Sequence, residues 1–400
     1  MINRNGTAQA QCARIVKGAT KFSKVVGVLV VILLFCVFAL LPQPVHALNT
    51  VTANVTGLNG PTGIAMTPNG AYVYVANGGS NSVSVISTAT NTVTATVTVG
   101  ANPTGTAVTP NGADVYVANY GSGTVSVIST ASNTVTATIT VETNPHGVGM
   151  SPDGAYVYVA NYGSGTVSVI STSTNTMTAT VMVGGNPVGV RVTPNGAYAY
   201  VTNKGGTISV ISTATNTVTA AVTVGNIPAG LAVTPNGEYV YVANSGGTTV
   251  SAISTATNTV TATVTVGSTP TGVAITPDGA YAYVPNSGGT TVSVISTVTN
   301  TVTSTINGLN APTSVAVTPN EAYLYITNIG NGTLSVISIG TNTETTTASP
   351  SQAVPEFSNT VLVSVAIAMT ASAISVIALK SRRKKLFEDN EETVTIEKLN

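Results

Sequence analysis

The chain has 400 residues, of which only 6% are charged, and its formal net charge is zero. Between Leu48 and Pro350 there are two basic residues, Arg191 and Lys204, against seven acidic ones, which leaves this region acidic. Because nucleic acids are bound mainly through Lys and Arg on phosphates, the composition predicts no nucleic-acid partner. Both cysteines, Cys12 and Cys36, precede this region, which therefore offers no disulfide and no thiolate metal site.

Residues 1–47 have the three parts of a secretory signal. Five basic residues and no acidic one occur in 1–24, and seventeen apolar residues follow from Val25 to Leu41. The small-x-small sequence that ends at Ala47 then predicts cleavage after that residue. The alternative is an uncleaved N-terminal membrane segment, because seventeen residues are near the lower limit for a span.

The next region repeats one sequence element, Thr-Pro-Asn-Gly followed by Tyr-Val-x-Asn, seven times. The copies begin at steps of 42 residues, with one step of 41, and start at Thr67, Thr109, Ser151, Thr193, Thr234, Thr276 and Thr318. Such a period indicates stacked copies of one supersecondary unit. Each unit contains four short runs of β-branched and aromatic residues bounded by Gly, Pro, Asn and Ser, which predicts four strands. A tight Thr-Pro-Asn-Gly turn joins the first two.

Seven four-stranded units predict an all-β fold, a seven-bladed β-propeller of antiparallel blades over residues 48–340, because an isolated unit cannot cover its own faces. The fourth strand of the last unit is interrupted by Glu344, whereas residues 49–57 match the end of a repeat. We therefore expect an N-terminal strand to close the last blade and protect its edge. An open solenoid, the alternative, would need polar capping repeats, and none is visible in the sequence.

The Tyr-Val-x-Asn elements, beginning with Tyr74-Val75-Ala76-Asn77, resemble the YVTN family of β-propeller repeats found in surface proteins of archaea. The resemblance covers residues 49–340. It implies an extracellular seven-bladed propeller of a cell-surface or surface-layer protein, and it implies no catalytic residue.

The C-terminal residues predict a membrane anchor. Residues 341–359 are rich in Ser, Thr and Pro and predict a solvated stalk. The uncharged residues 360–379 are long enough for a transmembrane helix. The basic cluster that opens the tail, 380–400, should remain cytoplasmic, which places the propeller outside the cell. Pro355-Glu356-Phe357 resembles an archaeal sorting signal that implies removal of the helix, but the fifteen residues after the cluster favour its retention.

Candidate site residues are those that break the repeat. Arg191 replaces the alanine or glycine of other units on the predicted inner strand, where a guanidinium could bind an anion in the channel or reach a carbonyl. His146 lies in a sequence predicted to be a loop leading into the third blade, and we expect a solvated histidine there. Tyr120, Tyr162 and Lys204 are predicted to form an adhesive sector of one face.

The repeat region has one histidine and no cysteine, so neither a metal nor a cofactor is predicted. Asn54 and Asn331 begin N-glycosylation sequons. Together these features predict a non-enzymatic cell-surface or envelope protein that contacts other surface proteins or glycans. The alternative is a propeller that binds a small ligand or acts as an enzyme, with a channel site near Arg191.

Overall fold

The computed structural model describes residues 49–339, and the predicted signal segment, stalk, transmembrane helix and tail lie outside this range. The described residues form seven sheets, each of four antiparallel strands. They contain no helix that is long and apolar enough to cross a membrane. The predicted all-β, seven-bladed propeller is therefore confirmed for this part of the chain.

The strands are numbered in chain order, and the four strands of each blade are called A to D from the channel outwards. Blade 1 contains β2 (Pro61–Met66), β3 (Tyr72–Asn77), β4 (Ser82–Ser87) and β5 (Thr92–Thr98). Blade 2 contains β6 (Pro103–Val108), β7 (Asp114–Asn119), β8 (Thr124–Ser129) and β9 (Thr134–Thr140). Blade 3 contains β10 (Pro145–Met150), β11 (Tyr156–Asn161), β12 (Thr166–Ser171) and β13 (Thr176–Met182). Blade 4 contains β14 (Pro187–Val192), β15 (Tyr198–Asn203), β16 (Thr207–Ser212) and β17 (Thr217–Thr223).

The remaining blades follow the same plan. Blade 5 contains β18 (Pro228–Val233), β19 (Tyr239–Asn244), β20 (Thr249–Ser254) and β21 (Thr259–Thr265). Blade 6 contains β22 (Ala274–Ile275), β23 (Tyr281–Asn286), β24 (Thr291–Ser296) and β25 (Thr301–Ile306). Blade 7 contains β26 (Pro312–Val317), β27 (Tyr323–Asn328) and β28 (Thr333–Ser338), and its strand D is β1 (Thr50–Val55) from the start of the array.

The ring is closed by β1, as the sequence predicts. This strand pairs with β28 in an antiparallel register that places Thr50 opposite Ser338 and Val55 opposite Leu334. Val55 and Leu334 belong to a buried cluster that also contains Val73 of blade 1. The two ends of the array are therefore held together by backbone pairing and by a shared core.

Burial decreases from the middle strands to the outer one. The residues of β3 after Tyr72 are all buried, whereas Thr92, Val93 and Thr94 of β5 are exposed. Most of strand D is therefore exposed, although its Thr-rich sequence has the residues of a strand. The reason is that strand D is the outer edge of its sheet, and only residues such as Val97 reach the core.

The tyrosine of each Tyr-Val-x-Asn element connects neighbouring blades. Tyr116 lies in blade 2, and its Oη donates a hydrogen bond of 2.6 Å to Oδ1 of Asn175 in the C–D turn of blade 3. The accepting asparagine has φ 52°, a left-handed conformation that Asn adopts more readily than most residues. Equivalent bonds join Tyr74 to Asn133, Tyr200 to Asn258, Tyr241 to Asn300 and Tyr325 to Asn91.

The seam between blades 3 and 4 lacks this bond. Asn216 has the position at which an asparagine would accept a hydrogen bond from Tyr158. Its Oδ1 is buried without a hydrogen-bond partner among the described residues. A cavity of about 470 Å³ lies beside Tyr158 at this seam.

The asparagine that ends each Tyr-Val-x-Asn element makes its hydrogen bonds within its own blade. In Asn161, for example, Nδ2 donates to Ser168 Oγ at 2.9 Å.

A second set of contacts joins the blades around the channel. Thr104 Oγ1 donates to the carbonyl of His146 at 2.9 Å, and Thr271 Oγ1 donates to the carbonyl of Thr313 at 2.8 Å. The inner strands approach closely here, since a Cβ built on Gly147 would collide with the carbonyl of Val188. We call these contacts with the next blade, made by a side chain at the start of strand A or just before it, the channel clasps.

His146 is itself a channel clasp, which corrects the expectation of a solvated loop histidine. Strand β10 begins at Pro145, so His146 is its second residue and occupies the position of Thr104 in blade 2. Its imidazole hydrogen-bonds to the backbone of Val188. Burial lowers the pKa of His146 to about 4, the Val188 contact opposes this shift and the nearby Lys204 adds to it.

We predict that Tyr116→Phe destabilises the ring more than Tyr158→Phe does. The first substitution leaves Asn175 Oδ1 without its donor, which should cost about 1 to 3 kcal/mol, whereas the second removes no bridge. The measurement is the thermal unfolding midpoint of the full chain in detergent micelles. Equal losses in the two variants would contradict the assignment of the tyrosine bridge.

We also predict that His146→Thr reduces the loss of stability in acid. The folded state holds His146 neutral with a pKa of about 4, whereas the unfolded chain has the ordinary value near 6.5. The unfolded state therefore binds more protons between these values, and the free energy of unfolding falls by about 3 kcal/mol as the pH drops through them.

Threonine at position 146 would provide the same clasp without titrating, as at Thr62 and Thr104. The unfolding midpoint, followed from pH 7 to pH 4.5, should therefore decrease less in His146→Thr than in the unaltered protein. Identical pH profiles would show that His146 does not titrate in this way.

Candidate functional site

The A strands of the seven blades surround a central channel with two chambers. The upper chamber, of about 380 Å³, reaches the face that carries the B–C loops, because Lys204 and Ser245 of those loops line it. The lower chamber, of about 490 Å³, reaches the face of the Thr-Pro-Asn-Gly turns, where Pro194 and Pro235 line it. Arg191 lines both chambers, so its guanidinium lies at the level where they meet.

Strand β14 fixes Arg191 in the channel. Its Nη1 donates to the carbonyls of Val148 and Val190 at 3.0 and 2.9 Å, which is the second of the two alternatives given for Arg191, and anion binding stays a prediction. The side chain is exposed to the channel but enclosed by the ring, and burial lowers its pKa from the usual value. Arginine nevertheless remains protonated in proteins. Two carbonyls thus orient a permanent cation and leave its other N–H groups without partners among the described residues.

The structure brings the other predicted contact residues together at the upper mouth. Tyr120, Tyr162 and Lys204 occupy the first loop position after strand B in blades 2, 3 and 4, and the backbone N–H group of each donates to the loop that leads into its own blade. Lys204 Nζ lies 5.0 Å from the centre of the Tyr162 ring, a cation–π contact. The Tyr162 and Tyr120 rings are 6.1 Å apart, and the Tyr120 and His146 rings meet edge to face at 6.2 Å.

We call His146, Tyr120, Tyr162 and Lys204 the rim row. The single 41-residue step of the array falls in this region, because the B–C loop of blade 4 has one residue fewer than that of blade 3. Lys204, on this shortened loop, lines the upper chamber, whereas Tyr162 on the longer loop does not.

Sequence reasoning missed two residues beside Arg191. Val188 takes the position of the clasp threonines, cannot donate a hydrogen bond and instead lines the upper chamber. Thr202 compensates, because its Oγ1 donates to the carbonyl of Ala229 at 2.7 Å and accepts from the Gly189 N–H at 2.8 Å. The signal was present in the sequence, since Thr202 stands where four other units have Ala before the motif asparagine.

The charges of the upper chamber are all positive. Arg191 and Lys204 are cations, His146 is neutral at pH 7 because its pKa is about 4, and none of the described residues that line this chamber is Asp or Glu. This contrasts with the acidic composition of the repeat region as a whole. A local positive field inside a low-dielectric wall attracts anions.

Residues 49–339 contain no group of three His, Cys, Asp or Glu that could hold a metal ion.

The two predicted glycosylation sites both lie in blade 7. Asn54 is exposed on β1, but its Oδ1 accepts a hydrogen bond from Ser335 Oγ at 2.7 Å. Asn331 is exposed in the B–C loop of blade 7, where Thr333 Oγ1 donates to its Oδ1 at 2.8 Å. Glycosylation of either residue stays a prediction.

Comparisons with known proteins agree with the fold. The family described as "Lactonase, 7-bladed beta-propeller" matches residues 41–143, which is less than half of the chain. A solved structure titled "Kuenenia stuttgartiensis Hydrazine Synthase" matches with a TM-score of 0.66 and 24% sequence identity, covering 74% of this chain and 98% of that chain. No curated protein matches the chain. The chain is thus similar to seven-bladed propellers, and its finer resemblance to YVTN surface proteins stays a prediction.

Proposed function

We propose that this protein is a non-enzymatic cell-surface propeller that binds a protein or glycan of the cell envelope through the rim row and the upper chamber. One observation carries the proposal. Residues that depart from the repeat in blades 2, 3 and 4 meet at a single channel mouth. The repeated residues form a uniform scaffold, and the residues that differ from the repeat form a local surface of different chemistry.

The chemistry of the rim row supports contact with a partner. Tyr120 and Tyr162 are partly exposed, and tyrosine offers a large apolar ring with a polar end, a combination that is enriched at binding sites. The predicted signal segment, stalk, transmembrane helix and basic tail support display of this surface outside the cell on a membrane anchor.

Lactone hydrolysis is a second candidate function, and the family match over residues 41–143 favours it. In that case the neutral imidazole of His146 would accept a proton, and the Arg191 guanidinium would stabilise a developing oxyanion. This candidate requires turnover that depends on both residues, whereas the proposed contact function requires none.

We predict that replacing either rim tyrosine by serine weakens binding to envelope fragments at least tenfold. Serine is the residue at the same position in blades 5 and 6, Ser245 and Ser287, so the loops should keep their conformation. The loss follows from removal of a large ring from the contact. The measurement is the Kd of the full chain, in micelles, for purified envelope proteins and glycans of its own cells.

Tyr156→Ser provides the matched control, because Tyr156 is an exposed tyrosine next to a Thr-Pro-Asn-Gly type turn on the lower face. Its Kd should equal that of the unaltered protein. Unchanged binding in both rim variants would refute the contact surface. Lactone hydrolysis that is lost in His146→Thr would favour the second candidate.

A further inference from the structure

We propose that the upper chamber binds the carboxylate of an acidic sugar residue at the end of a glycan chain. This inference rests on the proposed contact function and names the chemistry of its ligand. It depends on the size of the chamber, the position of the free guanidinium edge and the aromatic residues at the mouth.

The chamber has the dimensions for a small group. Its volume of about 380 Å³ is near the lower end of the range of ligand pockets, roughly 300 to 1,000 Å³. Lys204 and Ser245 line it on the side of the B–C loops, and Arg191 lines it where it meets the lower chamber. This volume accommodates a single sugar residue, while the rest of a glycan chain would remain outside the chamber.

Arg191 sets the charge and the shape of the group that is bound. The carbonyls of Val148 and Val190 hold one nitrogen of the guanidinium, so the side chain is oriented before a ligand arrives. Its remaining N–H groups lie in one plane, which matches the two oxygens of a carboxylate. Among residues 49–339 no Asp or Glu lines the chamber, so no acidic side chain there already neutralises the guanidinium.

A phosphate fits this wall less well than a carboxylate. Phosphate sites in proteins commonly use several free backbone N–H groups. In this chamber the N–H of Gly189 donates to Thr202 Oγ1 and the N–H of Gly230 donates to the carbonyl of Thr271. These donors are therefore already used by the channel wall.

The rim row provides the surface for the sugar ring. Tyr120 and Tyr162 form an aromatic platform with ring centres 6.1 Å apart, and the CH-rich face of a pyranose packs on such rings. Lys204 lies over Tyr162 and also lines the chamber, so its ammonium is between the platform and the channel. The platform and the two cations together select a group that is both a sugar and an acid.

The test measures binding of D-glucuronate, methyl glucuronide, D-glucose and inorganic phosphate to the full chain by isothermal titration calorimetry. We expect glucuronate to bind at least tenfold more tightly than glucose, because glucose lacks the carboxylate, and more tightly than phosphate. Methyl glucuronide distinguishes the source. It should bind as well as the free acid if the ligand is the end of a glycan, and it should bind poorly if the ligand is a free sugar acid.

Arg191→Ala restores the alanine of Ala65 and Ala107 and should weaken glucuronate binding by about 10- to 100-fold. Glu238→Ala is the matched control, since it also restores a repeat alanine and removes one charge, but in a lower-face turn. It should leave the Kd unchanged.

The inference would be overturned by tighter binding of phosphate than of glucuronate, by equal binding of glucose, by poor binding of methyl glucuronide or by an Arg191→Ala variant with an unchanged Kd. If no sugar binds while envelope binding still depends on Tyr162, the inference fails and the proposed function stands. If neither binding occurs, both fail.

Discussion

Each blade of this protein is held to the next by hydrogen bonds that recur at the same positions of the repeat. A four-stranded blade cannot bury its own apolar faces, and its middle strands are buried only because neighbouring blades cover them. Tyrosine bridges fix the outer part of five seams, and the channel clasps fix the inner part. Closure by β1 then pairs the start of the array with its last blade, so that the ring has no unpaired end strand.

This arrangement allows substitution where a second residue restores the contact. Val188 cannot make a clasp, but Thr202 donates to the following blade instead. His146 keeps the clasp with an imidazole in place of a hydroxyl and places an aromatic ring beside Tyr120. The site thus arises from changes that preserve the ring's hydrogen bonds and alter only what faces the channel.

The sequence was sufficient to predict the strands, the number of blades and the closing strand, because all three depend on local pattern and on the phase of the repeat. It also identified Arg191, Tyr120, Tyr162 and Lys204 as departures. It could not predict the carbonyl of Val148 as a partner of Arg191, since that contact depends on the angle between two blades. The position of His146 was misjudged for a related reason, because only the packed ring shows that strand A starts at Pro145.

Our central claim is that the rim row and the upper chamber form the binding site. The most direct measurement is a structure of the full chain by electron cryomicroscopy with an envelope ligand bound. The account predicts ligand density at the upper mouth, in contact with Tyr162 and extending towards Arg191. Ligand density on the exposed outer strands or at the Thr-Pro-Asn-Gly turns, with the upper chamber empty, would contradict it.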